Sequence, residues 1–75
     1  MSNKISRRMV INGCGCRVDL TPEADGFSYE VWQEVGPSQH ARIATGWTLG
    51  KMSDGLEEAY LHGSRVISQQ LSLPK

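Results

Sequence analysis

The chain lacks the apolar runs that place a protein in a membrane or in the secretory pathway. No stretch approaches the roughly 20 apolar residues of a membrane-spanning helix, and the opening residues, MSNKISRR, lack the apolar core of a secretory signal. Cysteine is also scarce, because two cysteines in 75 residues are too few for a disulfide-stabilised secreted domain. We therefore expect a cytoplasmic protein.

Net charge is absent as well. Eight lysines and arginines balance eight aspartates and glutamates, so long-range attraction to nucleic acid or to an anionic membrane is not expected to dominate. The bases nevertheless come first along the chain, at Lys4, Arg7, Arg8 and Arg17. Residues 1–8 are interpreted as a flexible basic tail, or alternatively as an arm that contacts phosphate or an acidic partner.

The length leaves room for one domain, which we expect over residues 9–73. A domain of this size buries only about 60% of the surface that its unfolded chain exposes. Such small domains usually gain stability from disulfides, a metal or a partner subunit. Because cysteines are few, the sequence favours a partner subunit and predicts a homodimer.

The hydrophobic period changes once along the chain. Three runs alternate with a period of two, over residues 9–20, 27–35 and 40–47. Turn residues separate them, and a helical period follows over residues 54–71. The pattern predicts an α+β fold: a three-stranded antiparallel meander (β-β-β) with one C-terminal amphipathic helix packed on one face.

Glycines and a cap refine this prediction. Gly13 and Gly15 interrupt the first run and indicate a bulge, a bend or a close backbone approach there, so that run is interpreted either as one strand or as two short pieces that meet at residues 13–15. Asp54 followed by Glu57 fits a capping box, with Asp54 as the cap residue. Gly63 lies on the apolar stripe of the helix, where glycine costs about 1 kcal/mol relative to alanine, so it predicts close contact between helix and sheet.

One helix can cover only one face of the sheet. Alternation assigns the covered face to Val18, Leu20, Tyr29, Val31, Ile43 and Trp47. It assigns the uncovered face to Arg17, Asp19, Glu30, Trp32, Glu34, His40 and Arg42. A tryptophan among charges either lies flat on arginine side chains or serves as a contact anchor. The second reading predicts a partner-binding site formed by Trp32, Arg42, Arg17, Glu30, Glu34 and His40.

Cys14 and Cys16 form a cluster with reactive chemistry. In an extended strand their Cα atoms are roughly 6–7 Å apart, at the edge of what a disulfide tolerates. A soft metal could bridge them, with His40 and His62 as further ligands, although the spacing differs from the usual zinc motifs. Structural cysteines and surface histidines are the simpler interpretation, so no metal and no cofactor are assigned.

The sequence does not predict an enzyme, because no nucleophile stands in a recognisable setting with a base and an orienting group. The leading hypothesis is a small interaction module, an adaptor or inhibitor, that binds itself or another protein through the uncovered face. A nucleic-acid-binding domain is the alternative, with Trp32 stacked on a base and phosphate held by Lys4, Arg7, Arg8, Arg17 and Arg42. Metal binding through Cys14 and Cys16 is the second alternative.

The strand order and residues 27–67 resemble small bacterial or phage proteins. In outline they also resemble the amino-terminal arm-type DNA-binding domain of tyrosine recombinases, which sets a three-stranded sheet against one helix. That resemblance implies a sheet that contacts DNA. The sheet of that family is normally rich in basic residues, whereas Glu30 and Glu34 occupy the corresponding strand here.

Overall fold

A computed structural model describes residues 3–72, and the side chains of residues 3–70. Over this range the elements are β1 (Ile5–Ile11), β2 (Cys14–Pro22), β3 (Gly26–Gly36), β4 (Gln39–Leu49) and α1 (Met52–Ser72). The strands form an antiparallel sheet in the order β1-β2-β3-β4. The α+β class and the helix on one face are confirmed, whereas the prediction of three strands is wrong. Residues 1 and 2 of the predicted tail and residue 73 of the predicted domain lie outside the described residues.

The additional strand, β1, joins residues 5–8 of the predicted flexible tail to residues 9–11 of the first predicted run. Residues 5–8 pair with residues 17–20 of β2, so the tail prediction is wrong for them. Asn12 (φ 51°) and Gly13 (φ 81°) join the two strands. Positive φ at both positions is the geometry of a type I′ hairpin turn, which Asn-Gly favours. The interruption at Gly13 is therefore a hairpin turn between two strands, as in the two-piece interpretation, and not a bend within one strand.

A β-bulge in β4 changes which of its side chains face the helix. Val31 pairs with Ala44 but Trp32 pairs with Arg42, so Ile43 is an extra residue in β4. Ile43 still packs against the core. After the bulge the alternation is opposite to the predicted one: Ala44 is buried in the core, and Trp47 is 52% exposed on the other face. The predicted place of Trp47 on the covered face is wrong for this reason.

The core lies between α1 and the covered face of the sheet. Its buried members are Ile11, Cys16, Val18, Leu20, Tyr29, Val31, Ala44, Ala59 and Ile67. Helix and sheet approach closely at Gly63, where a Cβ atom would lie 3.1 Å from both Ile11 Cδ1 and Val31 Cγ1. The close contact predicted from Gly63 is thus confirmed.

α1 begins two residues before the predicted cap. The Asp54 carboxylate accepts a hydrogen bond from the backbone N–H of Lys51 at 2.8 Å. Asp54 is therefore the third helical residue reaching back to a cap at Lys51, and the predicted cap at Asp54 is wrong. Gly50, with φ 111°, provides the left-handed residue that separates β4 from the helix. Within residues 3–72, no helix combines the length and the apolar character that crossing a membrane requires.

Candidate functional site

The face of the sheet opposite α1 has no covering element within the described residues, and we call it the open face. Register and alternation place on it Lys4, Ser6, Arg8, Val10, Arg17, Asp19, Thr21, Ser28, Glu30, Trp32, Glu34, His40, Arg42, Thr45, Trp47 and Leu49. All six residues of the predicted partner-binding site are among them. The structure therefore brings that set together, and it adds Trp47 and Leu49, which are 52% and 62% exposed.

Trp32 lies at the centre of the open face between two guanidinium groups. Arg17 Cζ is 5.2 Å and Arg42 Cζ 6.0 Å from the centroid of the indole ring, within the range of cation–π attraction. Both arginines are register partners of Trp32, one on each neighbouring strand. The indole Nε1 is buried and has no hydrogen-bond partner among the described residues. Trp32 is half-buried, so part of its indole ring remains accessible beside the two arginine side chains.

Asp19 is a buried carboxylate on the open face, only 4% exposed. Its Oδ1 accepts hydrogen bonds from Ser6 Oγ at 2.7 Å and from Arg17 Nε at 3.1 Å. Its Oδ2 lies 4.0 Å from Lys4 Nζ. These charge-assisted contacts compensate for the water that the carboxylate loses on burial. Asp19 thus ties β1 to β2 and holds Arg17 beside Trp32.

The other acids of the open face pair with bases on other strands, and the Glu34–Arg8 pair spans β2. The contacts are Glu30–Arg42 at 3.0 Å, Glu34–Arg8 at 3.3 Å and Glu34–His40 at 4.0 Å. Each pair is exposed and contributes little stability, of the order of 0–1 kcal/mol. Together they leave the open face close to electrical balance.

This balance bears on the predicted nucleic-acid site. Arg8, Arg17 and Arg42 each contact a carboxylate, and Lys4 lies within 4.0 Å of Asp19. Arg7 alternates with Arg8 and therefore projects from the other side of β1. The five predicted phosphate ligands do not form one free positive surface, so the geometry does not favour phosphate binding.

A groove of about 610 Å³ lies on the open face beside Trp32. It is lined by Lys4, Thr21, Ser28, Tyr29, Glu30, Arg42, Thr45, Gly46 and Trp47. Trp47 provides its aromatic surface. The sequence reasoning missed this groove, because an unbroken alternation along β4 would have placed Trp47 in the core.

Within the described residues, the two cysteines are not grouped with His40 and His62 as the four-ligand metal site would require. Cys14 is half-buried, Cys16 is buried, and both are free thiols. Burial raises the pKa of Cys16, and the neighbouring Cys14 raises it further, so its metal-binding thiolate form is disfavoured. His40 contacts Glu34 and His62 contacts Tyr29. Among residues 3–70, no three His, Cys, Asp or Glu side chains are grouped so that they could hold a metal.

Under the helix, a hydrogen bond of 2.8 Å joins the Tyr29 hydroxyl and His62 Nδ1. The two rings meet edge to face, with centroids 5.9 Å apart. Burial raises the pKa of Tyr29; the charge of Glu58 raises it further, and that of Arg65 lowers it. Nothing in the sequence pattern indicates this contact, because the helical period assigns His62 to the polar side of α1 and predicts a surface residue.

The raised pKa of Tyr29 predicts a loss of stability at alkaline pH. The neutral phenol is favoured by the folded state, so its contribution is complete below the ordinary value of 10.0. It is lost as the pH rises through the higher folded value. Urea unfolding at intervals from about pH 8 to about pH 11 measures the effect.

The matched control is Tyr29→Phe. This variant cannot ionise at that position, so its stability should fall less steeply above about pH 10, even though it starts lower because His62 loses its partner. An equally steep loss in both proteins would assign the alkaline sensitivity to other groups.

In comparisons with known proteins, no protein-family model, no curated protein and no solved structure matches the chain. The open face must therefore be interpreted from its own geometry. Its distinguishing features are the Trp32 ring between two arginines, the buried Asp19 and the groove beside Trp47.

Proposed function

We propose that this protein is a small binding module, an adaptor or an inhibitor, that contacts another protein through the open face. The observation that carries the proposal is the groove next to the Trp32–arginine stack, with exposed Trp47 as its aromatic wall. Tryptophan and arginine are the residues in which binding energy most often concentrates at protein interfaces. A face that is charge-balanced and aromatic suits a protein surface better than a polyanion.

The groove can receive a convex loop or an extended segment of another protein. If two open faces packed on each other about a twofold axis that passes through the groove, a groove would face a groove and leave space between them. Self-association about that axis is therefore less favoured than binding of a different protein.

The groove also indicates the chemistry of its occupant. Lys4 lines the groove, and its side chain is 55% exposed. Its ammonium lies 4.0 Å from Asp19, which is a longer ion-pair distance than the 3.0 Å between Arg42, the other base of the groove, and Glu30. A carboxylate of a partner can bind the Lys4 ammonium without displacing a short ion pair. We therefore expect a segment that places an apolar side chain against Trp47 and an acidic side chain near Lys4.

A peptide-display library of random sequence tests this proposal directly. Peptides selected on the wild-type protein should share an apolar residue close to an acidic one. Their affinity should fall at least about tenfold for Trp47→Ala, as for a residue that carries binding energy. Fluorescence anisotropy of labelled peptides measures the dissociation constants.

Leu61→Ala is the matched control, because Leu61 is also about half exposed (50%) but lies on α1. It should leave peptide binding unchanged. Selected peptides that bind the Trp47→Ala variant as tightly as the wild type would remove the proposal. If the wild-type protein associates with itself and Trp47→Ala and Trp32→Ala both abolish that association, the occupant of the open face is a second copy.

A further inference from the structure

The outer edge of β4 is a second surface without a partner, separate from the open face. The sheet order gives β4 one neighbouring strand among the described residues, β3. Residues 43–49 of β4 (IATGWTL) include no charged residue and no proline. Charged residues and proline are common features that keep an edge strand from pairing with another strand. The bulge at Ile43 protects the first half of β4. The regular and uncharged second half, residues 44–49, is free to pair.

The opposite edge of the sheet differs in this respect. β1 carries Arg7 and Arg8 in its middle, and two like charges facing each other across a strand pair oppose its formation. The contrast between the two edges indicates that β4 is the edge suited to join another strand.

We propose that two copies of this chain join along β4, antiparallel and about a twofold axis at Gly46, so that the two sheets become one continuous sheet. This pairing sets Thr45 opposite the partner's Trp47 and Ala44 opposite the partner's Thr48. Each pair consists of residues of the same face, as an antiparallel ladder requires. Arg42 falls outside the paired residues, so no like charges meet across the axis.

The position of α1 makes room for this assembly. The helix makes most of its contacts with β3 and β4, so it lies nearer to the β4 edge of the sheet than to the β1 edge, although Gly63 also reaches Ile11 of β1. Strands are about 4.8 Å apart, so a helix axis about one strand spacing from the twofold axis would place the two helices of the dimer about 10 Å apart. That distance is within the usual range for packed helices, roughly 8–10 Å, so the helices would contact each other rather than collide.

The charges on the facing sides of the helices complement each other. Tyr29 packs over Gly46, and its hydroxyl bonds His62, which places His62 near the proposed axis. Glu58 lies one turn before His62 and Arg65 one turn after it, and both are exposed. Both are also close enough to Tyr29 that Glu58 raises its pKa and Arg65 lowers it.

Antiparallel helices related by this axis bring Glu58 of each copy opposite the partner's Arg65. Two salt bridges then form symmetrically across the axis. Within residues 3–70 neither residue makes an ion pair in its own chain, so both charges are available for the partner copy.

Charge reversal tests the inference. Sedimentation equilibrium of the full chain at low salt should show a monomer–dimer equilibrium. Glu58→Arg and Arg65→Glu should each raise the dimer dissociation constant at least about tenfold, because each creates two like-charge contacts. The double variant E58R/R65E should restore the wild-type value, since both pairs reform with their signs exchanged. Glu57→Arg, an exposed residue on the solvent side of α1, is the control and should change nothing.

Amide hydrogen exchange locates the interface independently. Protection of residues 44–48 should increase with protein concentration in the wild type and stay at the monomer level in Glu58→Arg. A protein that remains monomeric up to about 1 mM would overturn the inference. So would a dimer that is insensitive to both single reversals, or one that Trp32→Ala disrupts and Glu58→Arg does not. The Glu58→Arg variant should still bind the peptides selected on the open face, so failure of this inference leaves the proposed function testable.

Discussion

Replacing Ile11 with alanine is expected to lower the free energy of unfolding by about 2–5 kcal/mol. That is a large part of the roughly 4–11 kcal/mol expected for a domain of this size. Ile11 is fully buried, at 0% exposure, and its Cδ1 lies against Gly63 of α1. Truncation leaves a cavity between β1 and α1 that the surrounding structure fills only in part. Urea unfolding followed by tryptophan fluorescence measures the change.

Val10→Ala is the matched control for Ile11→Ala. Val10 is the preceding residue of β1, but it is 68% exposed on the open face, so its truncation should change stability by no more than about 0.5 kcal/mol. If the two variants were equally stable, β1 would not belong to the cooperative fold. The comparison therefore tests the fourth strand directly.

Replacing Gly46 with alanine is expected to cost about 2–4 kcal/mol. A Cβ atom at this position would overlap the Tyr29 hydroxyl and lie 2.9 Å from Tyr29 Cε2. The ring cannot rotate away freely, because it is buried beneath α1 and bonded to His62. Overpacking costs about 1–3 kcal/mol, and loss of the Tyr29–His62 hydrogen bond adds about 1 kcal/mol. Thermal and urea unfolding at concentrations where the monomer dominates measure the change.

Two variants separate this steric clash from a general cost of replacing any glycine in a strand with alanine. At Gly15 in β2, a Cβ atom would meet only the Glu34 side chain, whose exposed end can rotate, so Gly15→Ala should be nearly neutral. Combining Gly46→Ala with Tyr29→Val should cost less than the sum of the two single changes, since the smaller side chain removes the overlap. Strict additivity would contradict the proposed clash.

The elements with a clear period were predictable from sequence. The alternation of β3 placed Tyr29 and Val31 under the helix and Glu30 and Trp32 on the open face, as the register shows. The helical stripe identified Gly63 as a point of close contact. In these segments the local hydrophobic pattern agrees with the tertiary packing, so the pattern alone predicts which side chains are buried.

The sequence analysis does not predict residues 5–8 as part of a strand, although a signal for the β1–β2 hairpin is present. Asn12-Gly13 between two extended segments is among the strongest short-range hairpin signals. The polar residues Ser6, Arg7 and Arg8 obscured it, because they make the strand look like a solvated tail. Their polarity has a structural reason: β1 is an edge strand, and Ser6 and Arg8 lie on the open face, where they bond Asp19 and Glu34.

Other features of the site depend on the tertiary structure, and the local sequence does not indicate them. The bulge at Ile43 decides that Trp47 is exposed, yet no residue near it requires a bulge. The Tyr29–His62 bond joins residues 33 positions apart and depends on how α1 lies on the sheet. The groove and the facing charges of α1 could therefore be recognised only in the folded chain.

The order of the strands also has a consequence for how the chain folds. Each strand pairs with its neighbour in sequence, so the sheet can assemble hairpin by hairpin across short turns, at little cost in loop-closure entropy. Contacts between α1 and the β1–β2 turn are different: the Asn12 side chain donates a hydrogen bond to the Ser64 carbonyl, 52 positions away. These contacts can form only after β1 has paired with β2 and α1 lies on the sheet, so we expect docking of α1 onto β1 to come last in folding and to open first in unfolding.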